Sequence, residues 1–77
     1  MLMNGGEKMR GWLRAAREEK GMTQLQVAQA LGITESYYSF IEKAQRQKKM
    51  DITLVWRLSE VFGIPVQQII NYENSAG

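Results

Sequence analysis

Two stretches with helical patterning, TQLQVAQAL and TESYYSFIEK, are separated by Gly32 and Ile33 alone. A connection that short forces the two helices to cross steeply rather than lie side by side. Such a crossing needs a small residue at the closest approach, which Ala28 supplies, and a turn residue that tolerates positive φ, which Gly32 supplies. Val27, Leu31, Ile33, Tyr38 and Ile41 are then the apolar side chains that fill the wedge. The start signals are unusually complete. Thr23 can cap the first of the two helices, Gln26 can reach back to close a capping box, and Met22 can staple against Val27. Thr34 caps the second helix, with Ile33 and Tyr38 placed to staple it.

The rest of the chain is punctuated in the same way. A first helix is expected from about Glu7 to Lys20, with Met9, Leu13 and Ala16 at helical spacing, Trp12 beside that stripe and Gly21 as the stop. After a polar, basic loop from about Ala44 to Lys49, a fourth helix runs from about Ile52 to Phe62, with Val55, Leu58 and Phe62 inward, and closes at Gly63. Pro65 opens a short fifth helix, where a fixed φ and a missing N–H cost nothing. The fold class is therefore an all-α, five-helix domain over residues 7–71, preceded by an arm (1–6) and followed by a short polar tail (72–77).

Composition narrows the chemistry. Among 77 residues there is no cysteine and no histidine, which removes soft metal ligands, disulfides, thiol nucleophiles and imidazole bases. No metal or other cofactor and no small-molecule ligand is expected, and nothing suggests an enzyme: no close carboxylate pair, phosphate loop or activated nucleophile is visible. No apolar run is long enough for a membrane span or signal peptide, so a cytoplasmic protein is expected. The net charge of +2 is too small to name a polyanion partner, but its placement says more. Lys43, Arg46, Lys48 and Lys49 fall within seven positions at the end of the third helix and in the loop that follows it. A domain this small has marginal stability, which dimerisation would raise.

The segment from Thr23 to Glu42 has the pattern of a helix-turn-helix, whose second helix projects its outer face into the DNA major groove. With the lead-in LRAAREEKGMTQ, the IEK ending of the third helix and the closing LSEVFGIPVQQI, the chain from about Met9 to Ile70 resembles the phage repressor and Cro-type helix-turn-helix regulators, also called the xenobiotic-response-element family. The resemblance implies a lambda-repressor-like fold and a bacterial or phage-encoded transcriptional regulator in the cytoplasm, a repressor that occupies a pseudo-palindromic double-stranded DNA operator as a homodimer. It assigns base contacts to Glu35, Ser36, Tyr37 and Phe40, and phosphate contacts to Gln24, Thr34, Ser39, Lys43, Arg46, Lys48 and Lys49. It makes Arg17 and Glu42 a structural ion pair between the first helix and the end of the third. It places the dimer interface near the fourth and fifth helices, at Trp56, Val66, Ile69, Ile70 and Tyr72.

Two departures matter. Better-known members carry Gln or Arg where this chain has Glu35 and Phe40, and Ala44 stands where glycine is usual, in a loop about two residues longer. Glu35 either accepts from a cytosine amino group or weakens non-specific binding by repelling phosphate, and Phe40 serves either a thymine methyl or a protein interface. The alternative function is therefore a helix-turn-helix interaction module (antitoxin, adaptor or anti-repressor) with weak, sequence-indifferent DNA binding. Leu25 and Trp56, off their helices' apolar faces, are either ordinary exposed side chains or part of a subunit contact.

Overall fold

The computed structural model describes residues 9–43 and 50–76. Five helices follow in order: α1 (Gly11–Glu19), α2 (Gln24–Leu31), α3 (Glu35–Lys43), α4 (Ile52–Phe62) and α5 (Val66–Ala76). Among the described residues there is no strand. The all-α reading stands, and its helix boundaries follow from local chemistry.

The capping box at α2 is complete. Thr23 Oγ1 accepts the Gln26 N–H at 3.1 Å while Gln26 Oε1 accepts the Thr23 N–H at 2.8 Å. Thr23→Ala removes one of these two bonds and is expected to lower stability by about 1 kcal/mol, read as a shift in urea midpoint at constant slope. At the other end of α2, Gly32 takes φ 74°, which lets its N–H reach the Gln29 carbonyl and the Ile33 N–H reach the Ala28 carbonyl at 3.0 Å. This paired closure turns the chain directly into α3. Thr34 Oγ1 then accepts the Tyr37 N–H at 3.1 Å, so the third helix begins on its expected cap. Asp51 does the same for α4 by accepting the Leu54 N–H at 2.8 Å.

Leu13, Val27, Ala28, Leu31, Tyr38, Ile41, Leu54, Val55, Leu58, Phe62 and Ile69 form one core, with Trp12, Ala16, Met22, Ile33 and Val66 packed against it. Ala28 is fully buried, as a close α2–α3 crossing requires.

The structure corrects both ends of the domain. Helix α1 begins at Gly11, and Met9, expected on its inner stripe, precedes the helix and is exposed. Of the segment 72–77, expected as a polar tail, residues 72–76 are helical, because α5 continues to Ala76. Tyr72 stacks on Trp12 with ring centroids 5.2 Å apart, and Glu73 accepts the Trp12 indole N–H at 2.8 Å. These two partners hold the polar segment against α1, which its composition alone would leave in solvent.

Candidate nucleic-acid interface

Helix α3 divides into two faces by its 3.6-residue period. Tyr38, Ile41 and Glu42 point inward and are buried. Ser36, Ser39, Phe40 and Lys43 occupy the opposite side, with Glu35 and Tyr37 on its flanks. Glu35, Ser36, Tyr37 and Lys43 are exposed, whereas Ser39 and Phe40 are half-buried. Glu35 lies in the first turn and Lys43 in the last, so each charge also complements the helix dipole. That gives Glu35 a structural reason to be acidic, independent of any ligand. Thr34 uses its oxygen as the α3 cap and keeps its hydroxyl hydrogen to donate.

The inner face is held by a polar knot. Arg17 Nε donates to Glu42 Oε2 at 2.6 Å, Arg17 Nη1 donates to the Met22 carbonyl at 3.1 Å, and Gln24 Nε2 donates to Glu42 Oε1 at 3.1 Å. The Glu42 side chain is 2% exposed and that of Arg17 13%. Burial pushes the Glu42 carboxyl upward, but the hydrogen bonds from Arg17 and Gln24, together with the nearby Tyr38 hydroxyl and the Arg17 charge, outweigh it and hold the group below the usual carboxylate range. The Glu42 hydrogen bond raises Arg17 despite desolvation. The Tyr38 hydroxyl, buried beside this carboxylate, has no hydrogen-bond partner of good geometry. Burial first, then the proximity of Glu42, pushes it far above the ordinary phenol value. The expected Arg17–Glu42 pair is thus present, and Gln24 is an inward-facing third member. Gln24, expected at a phosphate, turns its amide inward and so buttresses α3 through Glu42.

Three polar residues near α3 were not foreseen. Arg57 Nη1 donates to the Leu31 carbonyl at 2.9 Å, so α4 caps the end of α2 at the turn. Arg10 and Glu73 meet at the C-terminal end of α3, with Arg10 Nη1 on the Ile41 carbonyl at 2.6 Å and Arg10 Nε 3.0 Å from each Glu73 oxygen. Local periodicity carries no signal for such contacts, because each joins distant parts of the chain. Ala44, Arg46, Lys48 and Lys49, expected in the basic loop, lie outside the described residues.

The five interface candidates separate. Trp56 is 59% exposed and has Ile52, 66% exposed, one turn before it. Both line a shallow groove with Ala30, Thr53, Arg57, Glu60 and Val61. Val66, Ile70 and Tyr72 are half-buried. Ile69 is fully buried in the monomer core, which corrects its assignment to a subunit interface: no surface of it remains to meet a partner. Leu25 is exposed on α2, as its position off the apolar face implied.

Among the described residues no helix is long and apolar enough to cross a membrane. A family model described as helix-turn-helix matches residues 13–69, which takes in most of α1, the α2–α3 pair, α4 and the first turn of α5. A relative, the uncharacterized HTH-type transcriptional regulator YqaF of Bacillus subtilis (strain 168), is 42% identical over 45 residues, which are 58% of this chain and 59% of that protein. The match thus spans well under two thirds of the length of that relative. No solved structure matches the chain. With its capped helix pair, glycine turn and locked third helix inside the matched segment, the chain belongs to the phage-repressor and Cro-type helix-turn-helix family of DNA-binding transcriptional regulators.

Proposed function

We propose that this chain is a sequence-specific repressor that binds a pseudo-palindromic DNA operator as a homodimer, with α3 in the major groove. The observation that carries this reading is the division of α3: its inner face is clamped through Glu42, and its outer side leaves Ser36, Glu35 and Tyr37 exposed at the helix start. Recognition helices of this motif read bases with the N-terminal residues of the second helix, which is where these side chains stand. In this reading Glu35, Ser36, Tyr37 and Phe40 contact bases. Gln24, Thr34, Ser39 and Lys43, with Arg46, Lys48 and Lys49 of the following loop, contact phosphates. Trp56 and Ile52 centre the subunit contact, and Val66, Ile70 and Tyr72 also contribute to it. That exposed apolar pair supports the dimer, because exposed clusters of large apolar side chains mark interaction surfaces. The HTH-type transcriptional regulator YqaF, as its name describes it, supports the regulatory part.

The test is selection of bound duplexes from a random DNA pool at near-physiological salt. The expected result is an inverted repeat with half-site centres about 34 Å, one helical turn, apart. Glu35→Gln should then relax preference at one base position in each half-site by about 1–3 kcal/mol. A second reading, a protein-interaction module, is favoured by the acidic Glu35 and the apolar Phe40 at base-reading positions. Folded protein that enriches no sequence would select that second reading.

A further inference from the structure

The C-terminal end of α3 is gripped by a second ion pair besides Arg17–Glu42. Arg10 is almost completely buried, its side chain 4% exposed, against 19% for Glu73. Its backbone N–H donates to the Glu42 carbonyl at 2.7 Å and its Nη1 to the Ile41 carbonyl at 2.6 Å. Both carbonyls belong to the last turn of α3, where a helix has acceptors without intrahelical donors. A guanidinium there also faces the negative end of the helix dipole. Such a buried cation needs a counter-charge, and α5 provides it: both oxygens of Glu73 lie 3.0 Å from Arg10 Nε. Glu73 is itself oriented by the Trp12 indole N–H, and the Trp12–Tyr72 stack fixes α1 against α5 at the same place.

From this arrangement we infer that Arg10 and Glu73 are positioning residues for the recognition helix, so that α5 helps set how α3 is presented to DNA. Arg17 holds the Glu42 side chain, and Arg10 holds the Ile41 and Glu42 carbonyls. The buried Tyr38 and Ile41 side chains already seat α3 on the core, and the two polar attachments to its last turn add restraints on its rotation and its position along the axis. Base readout tolerates errors of only about 0.5 Å and 10–20° in the contacting groups. Loss of the second attachment therefore costs discrimination between sequences more than it costs affinity for phosphate. The inference rests on the DNA-reading role of α3.

The experiment uses the full chain and compares wild type with Glu73→Gln and Glu73→Asp at a temperature where far-UV circular dichroism shows each fully folded. Two quantities are measured: the ratio of specific to non-specific DNA affinity at fixed salt, and amide hydrogen exchange in α3 against α2. Glu73→Gln, which takes the Glu73 charge away from the buried Arg10 guanidinium, should lower the affinity ratio about three- to thirtyfold. It should also speed exchange in the last turn of α3 while the amides of Val27 and Ala28 keep wild-type protection. Glu73→Asp, which restores the charge, should recover most of both. An unchanged ratio with unchanged α3 exchange overturns the inference, as does exchange that rises equally in α2, which would make the pair a general staple. Wild-type protein that selects no DNA sequence defeats the DNA-reading role itself, and the exchange pattern still decides whether the pair holds α3. If Glu73→Gln does not fold, Trp12→Phe, which keeps a ring against Tyr72 and removes one Glu73 donor, carries the same comparison.

Discussion

Glu42→Ala is expected to lower the unfolding free energy by about 3–5 kcal/mol, the range found when one partner of a buried ion pair is removed. The cause is what remains. Arg17, with its side chain 13% exposed, loses its counter-charge, and Gln24 loses its acceptor. Small domains have roughly 5–15 kcal/mol of stability in total, so the loss is a large share of it and should bring a clear fall in the urea midpoint. Urea unfolding at neutral pH measures the loss. The pH dependence gives an independent check with a definite sign. Glu42 is held below the usual carboxylate range, so the unfolded chain binds more protons than the native one as acid is added. The stabilisation is fully present above the unfolded value of about 4.3 and disappears as pH falls through the native value. Wild type should therefore lose its advantage over Glu42→Gln as pH drops from 7 toward 3. A constant difference across that range would mean that the ionised carboxylate is not the source of the stability.

Ile69→Ala is expected to cost about 2–5 kcal/mol, independent of protein concentration, because the side chain is fully enclosed within one monomer. Trp56→Ala should leave the monomer almost as stable, since the indole is 59% exposed, and should weaken the proposed homodimer. The pair is read by thermal melts at two concentrations a hundredfold apart, with sedimentation to follow association. An Ile69→Ala protein of wild-type stability that dissociates more readily would return Ile69 to the interface.

What could be read from the sequence was what chemistry writes locally. Thr23 with Gln26, Gly32 and Thr34 act on backbone groups three to five residues away, so their spacing alone marks the ends of α2 and the start of α3. Tyr38 and Ile41 were legible because the 3.6-residue period puts them on one side of α3. The Arg17–Glu42 pair came through family resemblance, not through spacing. Arg10, Arg57 and Glu73 were missed because nothing near a guanidinium in the chain states which distant carbonyl it will meet. Trp12 and Glu73 are 61 positions apart, and the composition around Tyr72 and Glu73 resembles a solvated end. Ile69 was misplaced for a related reason. Alternate apolar positions on α5 serve both core and surface, and only packing tells them apart.

The outward side of α3 has a consequence for how such a domain changes over time. Glu35 and Ser36 are exposed, and the residues that hold the helix are Tyr38, Ile41 and Glu42 on its far side. Substitutions at Ser36 cost folding little and those at Glu35 only its small helix-dipole term, so under the proposed reading a duplicated copy acquires a new target while its scaffold stays the same.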